Sequence, residues 1–309
     1  MTAFRIGIDL GGTKIEAAAL DQGGALRLRR RTATPAGDYA GTIAAVAGLV
    51  AGIEQEIGAR TSVGIGIPGT IVAATGLVKN ANSTWLIDRP LADDVEAALG
   101  RPVRFANDAN CFALSEAIDG AGAGHGTVFG VILGTGVGGG IAIGGRILVG
   151  ANAIAGEWGH NPLPAPRLDE LADEWPGPPC YCGRSGCIES FLSGPGLAAD
   201  HRRHGGGTMD AAEIAAGAAG GDAACRATLD RYAERLARAL AGVINILDPD
   251  VIVLGGGLSA LACLYDEVSR HWGRHVFSDR VATRLLPPVH GDSSGVRGAA
   301  WLWPPEQAP

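Results

Sequence analysis

Residues 4–20 read Phe4-Arg5-Ile6-Gly7-Ile8-Asp9-Leu10-Gly11-Gly12-Thr13-Lys14-Ile15-Glu16-Ala17-Ala18-Ala19-Leu20. The apolar run Phe4–Leu10 has the length of a buried strand, and Ile15–Leu20 reads as its hairpin partner across the Gly-Gly-Thr-Lys turn. A second stretch is built alike. Gly130-Val131-Ile132-Leu133-Gly134-Thr135-Gly136 ends a strand-like run from Thr127 and precedes a returning strand, Ile141–Ile143. Set against Gly7–Thr13, it suggests two related lobes facing one another across a cleft. Small residues at such turns let backbone N–H groups approach phosphate oxygens. Thr13 and Lys14 add a hydroxyl and a charge, and Asp9 is placed to hold a metal through its water shell. The first turn is neither a Walker loop nor a Rossmann fingerprint. Alone it fits an ordinary hairpin equally well; paired with Gly134–Gly140 it fits a split phosphate clamp.

Outward from these turns, strands and helices alternate, which indicates an α/β fold. Asp38–Ile57 carries helical spacing, Ser62–Ile67 is a buried strand closed by Pro68-Gly69, and Leu91–Leu99 is a short helix stopped by Gly100. Val103–Phe105 is a strand running into Asn107-Asp108 and a helix through Ile118. Gly120, Gly122, Gly124 and Gly126 then mark a boundary. Beyond it, Asp222–Leu247 is a long amphipathic helix, Asp250–Leu254 a strand ending in Gly255-Gly256-Gly257, and Ser259–Trp272 helical again. A strand tip without side chains suits a flat adenine ring, though by itself it is as simply a strand-to-helix turn. Asn107-Asp108 before a helix is most simply an N-cap; a carboxylate there can also accept the proton of an acceptor hydroxyl.

The 309 residues suffice for two lobes with their own cores. A net charge of −7 argues against duplex binding, and Arg27, Arg29, Arg30 and Arg31 read as a solvated strand edge. No stretch approaches the apolar length of a membrane helix, and no secretory pattern precedes the first strand, so a cytoplasmic protein is expected. Six cysteines there call for a reason other than disulfides. Cys180, Cys182 and Cys187 with His160 form a Cys₃His set of zinc-ligand types, in a loop too polar for a core. Four protein ligands close the sphere, so the zinc is expected to be structural. Cys111, Cys225 and Cys263 read as packing residues.

Together the segments DLGGTK (Asp9–Lys14), ILGTGVGGG (Ile132–Gly140), EWGH (Glu157–His160), CYCG-x-x-GC-x-E (Cys180–Glu189) and VIVLGGG (Val251–Gly257) resemble the ROK family of sugar kinases and related repressors, over nearly the whole chain. The resemblance implies an actin-like (ribonuclease H-like) two-lobed α/β fold with a cleft between lobes. It places residues 1–118 plus 290–309 in a smaller lobe closed by the C-terminal helix, and 119–289 in a larger lobe with the zinc loop. It implies ATP and Mg²⁺ held by Asp9, Gly11, Gly12, Thr13, Lys14, Gly134, Thr135, Gly136, Gly255, Gly256 and Gly257. Asp108 matches the general base, and Gly69, Asn82, Asn107, Glu157, His160 and Glu189 match the sugar pocket. His160, Cys180, Cys182 and Cys187 match the ligands of a structural zinc.

The family's repressors carry a DNA-binding domain ahead of the first loop, for which a loop at Asp9 leaves no room. The expected partner is therefore a small-molecule sugar, not nucleic acid or a membrane, with a homodimer as a compatible assembly. Val78–Leu86, Glu157–Pro164 and His290–Gly298 look closest to the family's bacterial fructokinases (mannokinases). Asp108–Ala117 and Leu133–Gly140 look just as much like its N-acetylglucosamine kinases. The expected reaction is phosphorylation of fructose to fructose 6-phosphate. The alternatives are an N-acetylglucosamine kinase or glucokinase and, less favoured, a non-catalytic sugar sensor. The stretch Pro162–Pro179 reads as an ordered flap beside the zinc, with no function assigned.

Overall fold

A computed structural model describes residues 4–167, 169 and 171–304. The chain runs β1 (Arg5–Leu10), β2 (Lys14–Leu20), β3 (Leu26–Ala33), α1 (Tyr39–Ile57), β4 (Ser62–Ile67), β5 (Thr70–Ile71), β6 (Val78–Lys79), α2 (Leu91–Leu99), β7 (Arg104–Asn107) and α3 (Asp108–Ile118). It continues through β8 (Thr127–Leu133), β9 (Val137–Ile143), β10 (Arg146–Ile147), α4 (Leu171–Glu174), α5 (Ile188–Leu192), α6 (Gly194–Arg203), α7 (Ala211–Ala219) and α8 (Ala223–Leu247). Last come β11 (Val251–Gly255), α9 (Cys263–His271), β12 (Arg284–Leu286) and α10 (Ser294–Trp301).

Two compact units share the chain: Met1–Gly124, Gly140–Ala155 and Val289–Pro309 in one, His125–Gly139 and Gly156–Pro288 in the other. This division differs from the lobe ranges read from the sequence at 119–124, 140–155 and 289. Residues 1–3, 168, 170 and 305–309 of those ranges lie outside the described residues. The inclusion of 140–155 has a steric basis. Gly140 lies so close to α3 that an added Cβ would stand 2.4 Å from the Ala109 carbonyl oxygen.

In the first unit the sheet order is β3-β2-β1-β4-β7. β1 pairs antiparallel with β2 and parallel with β4, and β4 parallel with β7. The apolar runs of β1 and β4 are covered on both faces, as parallel strands require. Val46, Val50 and Ile53 of α1 join them in one core. On the other side α10 lies against the strands. A Cβ on Gly7 would meet Val296 O at 1.9 Å, and one on Gly64 would meet Ala299 O at 1.9 Å. These mid-strand glycines are therefore sites of close backbone approach.

One expectation is corrected here. α1 is long and apolar enough by composition to cross a membrane, with 19 residues and a mean hydropathy of 1.2. Alanine and glycine on its outer turns keep charge low while its valines and isoleucines serve the core. The arginine-rich edge is strand β3. Arg29 and Arg31 each pair with buried Glu16 at 2.5 Å, Arg27 pairs with Asp21 at 2.6 Å, and Arg30 pairs with Glu56.

In the second unit β8 runs parallel to β11, and β11 parallel to β12. Helix α8, capped by Asp222, carries two buried arginines. Arg235 donates to Glu174 (2.8 Å) and Asp200 (2.6 Å), and Arg238 donates to both Glu174 oxygens (2.6 and 3.0 Å). Arg238 also binds the carbonyls of Pro164 and Ala165. The described part of the 162–179 stretch is thus strapped to α8 by a buried, fully paired carboxylate.

Two local readings change. Ser259–Trp272 is not one helix, because Ser259 bonds back to Gly256 O through both N–H and Oγ and closes a turn before α9 begins. Cys111 and Cys225 are buried as expected, whereas Cys263 is exposed at the start of α9, whose buried face is Leu264 and Val268.

Candidate functional site

In the first unit, parallel pairing sets Asp9 beside Gly66 and Ile67 beside Asn107. Asp9, Gly69 and Asn107-Asp108 therefore emerge at the same carboxyl edge of the sheet, where open α/β sheets bind ligands. Gly11 N–H donates to Lys14 O (3.1 Å), and Thr34 Oγ1 donates to Gly11 O (2.7 Å). A Cβ on Gly11 would meet Lys14 O at 2.8 Å, so only glycine closes this turn. Gly12, Thr13 and Lys14 face solvent. Burial, followed by the nearby charges of Asp108 and Glu16, pushes the Asp9 carboxyl up to about 6, against a weaker pull from Lys14. A carboxylate whose proton affinity is raised by neighbouring carboxylates is a natural seat for a cation.

Asn107 caps α3. Its Oδ1 accepts from Ala109 N–H (2.9 Å), and its Nδ2 donates to Gly69 O (3.1 Å). Gly69 holds a left-handed φ of 85°, and a Cβ there would sit 2.4 Å from Lys79 O. Asp108 Oδ1 accepts from Ala109 N–H (2.8 Å), which orients the carboxylate. Asp108 is open to solvent, yet protein crowds its other sides. That desolvation raises its pKa over the opposing hydrogen bonds from Ala109 and Asn107. The N-cap expectation and a solvent-facing carboxylate hold together. Asn82 is exposed; beside it Ser83 is buried, its Oγ 3.4 Å from where a Gly12 Cβ would stand.

In the second unit, Gly134 N–H donates to Gly136 O (3.0 Å), and Gly134 O accepts from Gly194 N–H (2.7 Å). Thr135 is exposed at the tip. Glu189, on α5, reaches back to this turn. Its Oε2 accepts from Val137 N–H (2.9 Å) and would lie 2.7 Å from a Cβ on Gly136. Gly255 pairs with Ile132, so the Gly255–Gly257 tip lies beside the Gly134 turn. A Cβ on Gly256 would meet Leu133 O at 2.4 Å, whereas nothing lies within 4 Å of one on Gly257. Trp158 Nε1 donates to Gly138 O (2.9 Å), and Gly159 packs on Val137 O. These contacts anchor exposed Glu157 and half-buried His160 to the same strand.

The Cys₃His set converges. The ligand atoms of His160, Cys180, Cys182 and Cys187 all lie within 4.8 Å of one another. His160 Nδ1 is 3.6 Å from Cys180 Sγ, and Cys182 Sγ is 3.6 Å from Cys187 Sγ. Ligands about 2.3 Å from a tetrahedral zinc stand about 3.8 Å apart, so these spacings fit that ion. Arg184 beside Cys182 pushes its thiol down to about 6, toward the thiolate a metal needs.

Sequence reasoning passed over Ser83, Trp158, Tyr181 and Glu174 as site-forming residues. Trp158 and Tyr181 lay inside the quoted motifs, so position was their signal. Ser83 lay inside the quoted Val78–Leu86 stretch, and nothing local marks Glu174.

The ROK family profile matches residues 5–306. N-acetyl-D-glucosamine kinase of Salmonella paratyphi C is 41% identical over 96% of this chain and 98% of its own length. Among solved structures, the ROK hexokinase from Thermus thermophilus is 31% identical with a TM-score of 0.85, covering 96% of this chain and 97% of that one. The ROK family glucokinase from Streptomyces griseus, solved with glucose and AMPPNP, is 30% identical with a TM-score of 0.77, covering 97% and 99%.

Proposed function

The chain belongs to the ROK family, with its actin-like two-lobed α/β fold, and from that premise we propose that it transfers the γ-phosphoryl group of ATP to a hydroxyl of a free hexose. The observation that carries the reading is Asp108, an oriented, solvent-facing carboxylate whose proton affinity is raised. In the proposed step the acceptor oxygen bonds to the γ-phosphorus while its proton passes to Asp108. The bond to the bridging oxygen breaks, and ADP leaves with that electron pair. Asp9 would hold Mg²⁺, which would neutralise charge on the transferred group, and the Gly11–Lys14 and Gly134–Gly136 turns cradle phosphates. The bare Gly255–Gly257 tip takes the adenine. Gly69, Asn82, Asn107, Glu157, His160 and Glu189 hold sugar hydroxyls. His160, Cys180, Cys182 and Cys187 would hold a structural zinc, which would fix the loop leading into α5 and Glu189. A cytoplasmic setting suits this substrate pair.

For the sugar, the full-length relatives support N-acetyl-D-glucosamine over the fructose expected from the sequence. Fructose remains as a second reading on one observation, the resemblance of Val78–Leu86, Glu157–Pro164 and His290–Gly298 to fructokinases. A competition between the two sugars at equal concentration with limiting ATP tests this. Product that is mainly N-acetyl-D-glucosamine 6-phosphate supports the first reading, and mainly fructose 6-phosphate overturns it in favour of the second. Product from neither sugar removes both.

A further inference from the structure

Ser83 is 2% exposed, and its Oγ is shielded from solvent with no hydrogen-bond partner among the described residues. A serine ahead of a helical turn commonly caps it through the side chain; here, before the short 3₁₀ turn Thr84–Leu86, it makes no such bond. Its hydroxyl stands instead at the first glycine turn, 3.4 Å from where a Cβ on Gly12 would be. A buried hydroxyl left without a partner costs stability, and a bound group that supplies the missing bond accounts for its retention.

The turn beside it is set up for an anion. Thr34 Oγ1 donates to Gly11 O (2.7 Å) and Thr34 N–H to Thr13 O (3.0 Å), so the carbonyls on either side of Gly12 are both tied. The N–H groups of Gly12 and Thr13 donate to no protein acceptor among the described residues, and both residues face solvent. Adjacent free amides on an exposed glycine turn bind oxyanions. The loop that carries Ser83 also reaches the acceptor end of the same unit. A Cβ on Gly69 would lie 2.9 Å from Ala81 N, and Gly69 O accepts from Asn107 Nδ2 (3.1 Å), one residue before Asp108. Residues 81–83 thus run from the Asn107-Asp108 corner to the glycine turn, which sets Ser83 beside the phosphoryl group nearest the acceptor.

We infer that Ser83 is a phosphate-binding residue: its hydroxyl donates to an oxygen of the γ-phosphoryl group seated on the Gly12 and Thr13 amides. This rests on the sugar-kinase reading above. It adds a side-chain donor to the first phosphate turn, from the same loop that carries Asn82.

The test is Ser83→Ala in the full chain, read by calorimetric titration with AMPPNP, ADP and N-acetyl-D-glucosamine in Mg²⁺, by thermal melting without ligand, and by steady-state kinetics. Loss of one hydrogen bond to a charged phosphate oxygen predicts that Kd for AMPPNP rises about tenfold or more. The value of kcat/KM for ATP falls by at least as much, while Kd for ADP and for the sugar stays within about twofold. The ligand-free variant melts no lower than wild type, because it loses only a hydroxyl without a partner. An unchanged AMPPNP Kd overturns the inference, as it would if the hydroxyl held only a water. An equal rise for ADP overturns it too, by moving the contact off the transferred group. A lower melting temperature with parallel loss of sugar and nucleotide affinity marks a purely structural role and overturns it as well. Wild-type protein that binds AMPPNP through Ser83 yet phosphorylates no sugar removes the sugar-kinase reading alone; wild-type protein that does not bind AMPPNP removes both.

Discussion

Asp9→Asn should stabilise the protein while abolishing its catalysis. The folded environment pushes Asp9 from its ordinary 3.8 up to about 6, chiefly by burial and then by the charges of Asp108 and Glu16. Below pH 4 the carboxyl is protonated folded or unfolded and contributes nothing. Between about 4 and 6 the folded state holds a proton that the unfolded chain releases. Above 6 both states are ionised, and the folded state bears the whole cost of the buried charge. A rise of that size, at about 1.4 kcal/mol per tenfold change in proton affinity, amounts to about 3 kcal/mol. Partial exposure of the side chain brings the expected gain to about 1–3 kcal/mol. For a unit of this size that corresponds to roughly 2–4 °C per kcal/mol in Tm. Scanning calorimetry of wild type and variant at pH 7.5 and pH 4, with EDTA and then with Mg²⁺, reads it. The variant should melt several degrees higher at pH 7.5 in EDTA and no higher at pH 4. Mg²⁺ should narrow the gap by stabilising the wild type alone. An equal gain at both pH values would refute the electrostatic reasoning, and a variant that still phosphorylates sugar would refute the role given to Asp9.

Three further outcomes are expected. Asp108→Asn should keep its fold and its sugar Kd while kcat falls roughly 10²-fold or more; a near-normal rate in a coupled ATP assay would remove Asp108 as the base. Metal analysis should find about one zinc per chain, and Cys182→Ser should lose it together with stability and sugar affinity, as the open sphere no longer closes; a fully active, zinc-free variant would contradict this. Glu174→Ala should cost about 3–5 kcal/mol in chemical denaturation, because Arg235 and Arg238 would be left as buried charges without their shared partner. A loss below about 1 kcal/mol would show that the strap to α8 does not depend on this carboxylate.

Much of this molecule is decided by neighbours in sequence. Gly100 ends α2 in a left-handed conformation (φ 60°), and Asp38 and Asp222 cap α1 and α8 with their side chains. Asn107 does the same for α3. Such features depend on the backbone freedom of one residue or on a hydrogen bond spanning three, so composition and spacing reveal them. The paired glycine turns and the Cys-x-Cys-x₄-Cys spacing are equally local, and they bring the chemistry into view before any packing is known. The tertiary structure alone decided the rest. Gly140–Ala155 joins the first unit because Gly140 meets the backbone of α3, more than 30 positions back. In the described part of the 162–179 stretch, Glu174 is held by arginines over 60 residues downstream. Tyr181 acquires a partner in His160 only once the zinc loop folds back on the Trp158–His160 turn. Each of these is a contact between segments whose separate sequences are compatible with many partners. Close packing selects among them, because only one arrangement fills the space and pairs the buried charges.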